Sequence, residues 1–241
     1  MSSFAPHHHF EADLHHGPLH LHVAFDLTAP WTVFFGPSGS GKSTILRAIC
    51  GFFPRSSVTF ASADSTGWTE LQGKHHRTPP QSRGLAYAPQ GAALFPHLTV
   101  RKNLSFSANA TRRPSPELIR DMLDLFELAP LANRMPRDLS GGERQRVNLA
   151  RAFAVPQPKL FLLDEPFSGI DRAMRDALLP RIRQHIAQLS VPVISVTHDV
   201  EEAILLDAEV IRLEQGAVIA QGPATQVLGE ERTRMVKILQ P

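Results

Sequence analysis

The chain has 241 residues, with 25 Lys and Arg against 23 Asp and Glu, for a formal net charge of +2. Balanced, interleaved charge excludes a dedicated nucleic-acid face, so no nucleic-acid partner is expected. A single cysteine, Cys50, excludes an internal disulfide, and no run is long and apolar enough to span a bilayer.

The length suits one domain, or a domain with an inserted lobe, and 42% apolar residues is ordinary for a globular chain. The N-terminus has no basic segment followed by an apolar run, so no signal peptide is expected. A cytoplasmic protein is expected, and any membrane role needs a partner. Cys50 reads as a small buried residue rather than a reactive thiol.

Histidines crowd the start: His7, His8, His9, His15, His16, His20 and His22. No cysteine or carboxylate at ligand spacing supports a structural zinc site, so a histidine-rich surface hairpin is expected. His20, His22 and Ala24 alternate with Leu21, Val23 and Phe25, the pattern of a half-buried strand. Trp31 to Phe35 is a β-prone run ending at Gly36. Ser43 to Cys50 predicts a helix with Gly51 as its stop. Leu85-Ala86-Tyr87 starts another strand.

From Gly91 to about Val155 the character turns helical. Ser115-Pro116-Glu117 is a helix start, because Ser caps and Pro suits the first turn. Leu118, Met122, Leu125 and Phe126 form the expected apolar stripe. Lys159 to Leu163 is a continuous apolar run, suited to a strand covered on both faces. A helix from about Arg172 to Leu189 follows, then a strand over Val193–Thr197 and a helix from Asp199 to about Leu206. Val210–Leu213 and Ala217–Ala220 flank Gln215-Gly216 as a closing hairpin. Alternating strands and helices predict an α/β fold.

Gly36-Pro37-Ser38-Gly39-Ser40-Gly41-Lys42-Ser43 fits G-x-x-x-x-G-K-[ST] between a strand and a helix. Its glycines let backbone N–H groups wrap phosphates closely, and the helix N-terminus adds its positive dipole end. Lys42 can reach the outer phosphates, the Ser43 hydroxyl can ligate Mg²⁺, and Thr44 can touch the first phosphate. An incidental glycine-rich turn would not need this strand–loop–helix context. Asp164 ends the later apolar strand at its carboxyl end, where ligands bind in open α/β sheets, and is expected to hold Mg²⁺. Glu165 is one residue on, suited to orient or deprotonate an attacking water.

Those parts describe any P-loop NTPase. Leu139-Ser140-Gly141-Gly142-Glu143, with Arg144-Gln145-Arg146, resembles the signature motif of ABC ATPases. Ser140 and Glu143 also have capping-box spacing, and Gly-Gly in the first turn leaves N–H groups open to an anion. Further stations follow in the family's order. Tyr87-Ala88-Pro89-Gln90 resembles the Q-loop, Ser168-Gly169-Ile170-Asp171 the D-loop, and Thr197-His198-Asp199 the switch-histidine station. The resemblance runs from about Val23 to Gly222. It implies a P-loop NTPase core of ABC type, about 1–90 and 156–241, with an N-terminal antiparallel β subdomain. An inserted helical subdomain at about 91–155 and no C-terminal regulatory domain are expected.

The resemblance also implies roles. Glu165 is the expected catalytic base, His198 the γ-phosphate contact that supports it, and Gln90 the sensor of Mg²⁺ and γ-phosphate. Asp171 and Ser140, Gly141 and Gly142 join the nucleotide site. ATP and Mg²⁺ are the expected cofactors. Two copies would pack head to tail with each ATP between Lys42 of one and Ser140 of the other. The adenine-stacking aromatic has Phe10, His15 and His16 as candidates, and Ile170 stands where Leu is common.

Ala93-Leu94-Phe95-Pro96-His97-Leu98-Thr99-Val100 is similar to the segment that meets a permease in bacterial importers. The likeness is greatest to molybdate and sulfate importers, through Leu178-Leu179-Pro180 and Val191-Pro192-Val193-Ile194. It implies a place on the cytoplasmic face of the cell membrane, held by permease subunits, with a periplasmic or surface solute-binding protein completing the system. Importers of iron, polyamine or sugar, and soluble ABC ATPases of repair, translation or assembly, are the alternatives. A small-molecule kinase would leave the signature motif unexplained.

Overall fold

The computed structural model describes residues 8–16, 19–53, 57–64, 67–72, 78–106 and 113–233. The chain forms two compact units, Met1–Arg83 with Ile194–Pro241, and Gly84–Val193.

In the first unit, β1 (His8–His16) and β2 (Leu19–Leu27) form an antiparallel hairpin with His9 opposite Asp26 and Phe10 opposite Phe25. β4 (Ser57–Asp64) pairs the other edge of β1 and β5 (Gly67–Gln72) pairs β4, giving the order β2-β1-β4-β5. The period of two puts Phe10, Ala12, Leu14, Leu21, Val23 and Phe25 inside. Asp13, His20, His22 and Asp26 face solvent, as the alternation predicts. His20 Nε2 lies 2.8 Å from Asp13, and His9 Nδ1 lies 2.8 Å from Asp26. His8 is instead buried and stacks on Phe60. His7 lies outside the described residues.

A second sheet in this unit orders its strands β10-β9-β3-β8. β3 (Trp31–Phe35) runs parallel to β9 (Glu209–Glu214), which pairs antiparallel with β10 (Ala217–Pro223) across the predicted Gln215-Gly216 turn. β8 (Val193–Val196) lies on the other side of β3, and the Trp31 indole donates to Ser195 Oγ at 2.9 Å. Phe25 meets Phe34 edge-on, which joins the two sheets of the unit.

α1 (Lys42–Cys50) ends where Gly51 takes φ 86°, a left-handed stop open to glycine. Arg83 is fully buried behind that end. Its Nη1 donates to Ile49 O at 2.6 Å and its Nε to Thr78 O at 2.9 Å. A Cβ on Gly51 would lie 2.6 Å from the guanidinium. Burial pushes the Cys50 thiol up to about 12, and the Arg83 charge pulls the other way. The thiol stays neutral and inert there. α6 (Val200–Leu205) and α7 (Ala224–Val227) complete the unit.

In the second unit β6 (Leu85–Ala88) and β7 (Leu160–Asp164) pair in parallel, and every residue of β7 is buried. α2 (Val100–Ser105), α3 (Pro116–Leu125), α4 (Gly141–Phe153) and α5 (Arg172–Leu189) each start on a side-chain cap: Thr99, Ser115, Ser140 and Asp171. The buried stripe of α3 is Ile119, Met122 and Leu123, continuing to Phe126, while Leu118 and Leu125 are only half-buried. The expected stripe was thus rotated. Arg146 of α4 donates to the carbonyls of Phe126 and Glu127 just past α3, at 2.9 and 3.0 Å.

The buried cap behind α1 makes one prediction. Arg83→Met keeps bulk but strands the Ile49 carbonyl, so unfolding in guanidinium should show a loss of about 1.5–3 kcal/mol. A change below about 0.5 kcal/mol, the size of a surface substitution, would show that Arg83 does not hold this helix end.

Candidate functional site

The loop after β3 carries the first part of the site. Gly36 has φ 151°, and a Cβ there would lie 2.1 Å from Leu213 O. Only glycine fits. Gly39 at φ 82° and Gly41 at φ 101° are left-handed, and Gly41 caps α1. Ser40 N–H closes the turn onto Pro37 O at 3.3 Å. Pro37, Ser38 and Gly39 form an exposed crest, Ser40 is buried beneath it, and Ser43 and Thr44 are half-buried. Lys42 Nζ donates to the Gly36 and Pro37 carbonyls, each at 2.8 Å. The cation is therefore drawn back over the loop, beside the first-turn N–H groups of α1, which have no acceptor within the helix. Positive charge and helix-end donors converge on the crest, an arrangement suited to phosphate.

The same unit holds His198, exposed just beyond β8. Its backbone is fixed on both sides. Thr197 N–H donates to Phe34 O at 3.4 Å. The Thr197 hydroxyl donates to the buried Glu202 carboxylate and accepts from Asp199 N–H, both at 3.1 Å. Asp199 caps α6 by accepting from Glu201 and Glu202 N–H at 2.8 and 3.2 Å. An exposed imidazole on a pinned backbone is suited to a ligand contact.

The second unit carries the other predicted residues. Gln90 is exposed just after β6, and the Pro89 carbonyl before it accepts from Asn148 of α4 at 3.1 Å. Asp164 ends β7 almost fully buried. Glu165 follows in the left-handed region, at φ 47°. A non-glycine residue there is strained, and such residues concentrate at functional sites. The Glu165 carbonyl accepts from Ser168 N–H at 3.2 Å and from Gln145 Nε2 at 3.1 Å, and Pro166 O accepts from the same amide at 2.9 Å.

Ser140 and Glu143 form the predicted capping box. Ser140 Oγ accepts from Glu143 N–H at 3.2 Å, and Glu143 Oε2 accepts from Ser140 N–H at 2.6 Å. The backbone bond from Ser140, with its side chain second, holds the Glu143 carboxyl below its ordinary range. Gly141 opens α4 exposed, and a Cβ on Gly142 would come 2.9 Å from Gly169 O. Asp171 caps α5 by accepting from Met174 N–H at 2.9 Å.

Phe10, a candidate for stacking on adenine, is fully buried against Phe25 and Phe60 and cannot do so. The side chains of His15 and His16 lie outside the described residues. Sequence reasoning also missed Gln145, Asn148, Thr197 and Glu202 as supports. Their signal was polarity at buried positions, which is visible only once the inward face is known.

In the Phe95 segment, Asn103 is fully buried and clamps the backbone. It accepts from Phe95 N–H at 2.9 Å and donates to the Phe95, Leu98 and Thr99 carbonyls. Phe95 packs edge-on to Phe106, which is 60% exposed, and the Arg151 guanidinium lies 5.5 Å from the Phe95 ring centre. Among the described residues no helix is long and apolar enough to cross a membrane.

The profile of the family described as "ABC transporter" matches residues 22–168. The molybdate/tungstate import ATP-binding protein WtpC of Archaeoglobus fulgidus is 35% identical over 226 residues, covering 92% of this chain and 90% of the relative. The molybdenum import ATP-binding protein ModC of Albidiferax ferrireducens is 40% identical over 200 residues, or 82% of this chain. The alignment covers 53% of that relative, so the chain spans about half its length. Among solved structures, the ATP-binding cassette MJ0796, a dimer in a post-hydrolysis state bound to ADP and Pi, superposes with a TM-score of 0.73. It covers 90% of this chain and 98% of its own at 23% identity, which shows the shared fold. A family profile matched over more than half of the chain, and a relative aligned over nearly all of both proteins, lead to one assignment: this chain belongs to the ABC transporter family, as one of its ATP-binding domains.

Proposed function

We propose that the chain binds and hydrolyses ATP to power a membrane importer, and that the solute is molybdate or a related oxyanion. One observation carries the ATPase reading: a phosphate-type loop with its lysine at α1, and a capped, glycine-led start of α4, occur on a single chain. The first carries a lysine over its loop, and the second carries the Ser140 hydroxyl and helix-end N–H groups, with the Arg144 guanidinium on the Leu139 carbonyl. Two copies packed head to tail would let each complete the other's site. The likeness to WtpC and ModC supports the importer and the oxyanion.

In this reading Gly36 to Thr44 cradle the phosphates and Lys42 leaves the loop carbonyls for the outer phosphate oxygens. Ser43, Gln90 and Asp164 offer hydroxyl, amide and carboxylate oxygens, the hard donors that suit Mg²⁺. Bound there, the ion would neutralise charge developing on the phosphate oxygens. Glu165 takes the proton of the attacking water, and His198 contacts the γ-phosphate. Ser140, Gly141, Gly142 and Asp171 act from the partner copy. Closure excludes water and so strengthens each of these contacts. A helical subdomain at about 91–155 carries the change through the Phe95 segment to permease subunits at the cytoplasmic face of the membrane, with a solute-binding protein on the far side.

Glu165→Gln should slow hydrolysis by about 10²–10⁴-fold while ATP still binds, as for a lost general base. Hydrolysis at the wild-type rate would end that role. Mixing Lys42→Ala with Ser140→Ala chains should give heterodimers with at most one intact site, so activity should partly return relative to either variant alone. Crosslinking that joined Ser140 to Lys42 of its own chain would contradict the head-to-tail arrangement. Affinity capture from native membranes should bring down a permease and an oxyanion-binding protein. Recovery of only soluble assembly or repair factors would leave the ATPase reading and remove the transport one.

A further inference from the structure

The structure assigns Gln145 as a positioning residue for Glu165: its side-chain amide holds the strained turn from which that carboxylate projects. The inference rests on the reading of Glu165 as the base.

Three observations meet here. Gln145 is 5% exposed, so its amide is sealed from water and its donors must be used within the protein. Both contacts go to one place, Glu165 O at 3.1 Å and Pro166 O at 2.9 Å. Glu165 itself has φ 47°, a conformation that costs a non-glycine residue energy and persists only when its surroundings over-determine it. Pro166 has no N–H to share in bracing the turn. Ser168 N–H gives the Glu165 carbonyl one bond from within the turn, and Gln145 gives the bond from outside it.

The donor's location adds a consequence. Gln145 lies one turn and a half into α4, whose first turn holds Ser140, Gly141 and Gly142. The same helix start packs closely on the Gly169 carbonyl of the next loop. In the proposed reading, that first turn serves the partner's nucleotide. One side chain links the part of the chain that serves the partner's ATP to the part that attacks its own.

The test uses the full-length chain, with ATP hydrolysis and binding of a fluorescent ATP analogue measured separately. Gln145→Met keeps nearly the same volume and loses both donors. It should lower kcat by about 10- to 100-fold, the effect of misplacing a catalytic group by about 1 Å, while analogue affinity and KM stay within about threefold. Because Gln145 acts through Glu165, adding Gln145→Met to Glu165→Gln should slow hydrolysis no further. Gln145→Asn, which keeps the amide but shortens its reach, serves if the Met variant does not fold. An unchanged kcat in Gln145→Met, a parallel loss of ATP affinity, or losses that multiply in the double variant would each overturn the assignment. If Glu165→Gln is slow and Gln145→Met is fast, this inference alone falls. If Glu165→Gln hydrolyses at the wild-type rate, the reading of the base falls and takes this inference with it.

Discussion

At Gly36 the chain leaves β3 with no room for a side chain, because a Cβ would press to 2.1 Å from the Leu213 carbonyl of β9. This close approach fixes where the loop begins and how it turns toward α1. From there two left-handed glycines curl the backbone, and Lys42 is pulled onto the Gly36 and Pro37 carbonyls. The cation is held by the loop itself, at 2.8 Å from each oxygen. That contact keeps a strong charge positioned over the loop. The far end of the same helix is fixed independently by the buried Arg83.

Elsewhere polar side chains in the interior hold the backbone at or beside the predicted site residues. Asn148 holds the carbonyl before Gln90, Gln145 holds the turn of Glu165, and Thr197 with Glu202 frames His198. A buried carbonyl left without a donor costs about 1–3 kcal/mol, so every such bond resists movement of the segment it supports. The working side chains can then be exposed and carry little of the structural load. Asn103 does the same for the Phe95 segment, in which Pro96 and His97 are exposed.

The proposed reading gives the chain two different anion-binding devices. At α1 the device is a cation with helix-end donors. At α4 it is the helix start, where the capping box of Ser140 and Glu143 satisfies two N–H groups with side chains and leaves the glycine positions uncovered.

The sequence by itself determined most of the elements, though β4 and β5 were not read from it. Local rules were sufficient: alternation gave β2, the caps at Ser115 and Ser140 gave two helix starts, and G-x-x-x-x-G-K-S lay between a strand and a helix as its spacing demanded. Asp164, Glu165 and His198 were legible because they end or follow short apolar runs. Tertiary structure decided the rest. Phe10 was a plausible stacking ring until the register of β1 turned it inward, and the stripe of α3 is set by which residues its neighbours bury, Ile119, Met122 and Leu123. Gln145 carried no readable role, since its partners are the carbonyls of residues 165 and 166, twenty positions along the chain. A backbone carbonyl is the same at every residue, so no pattern of side chains can announce which one a distant amide will hold.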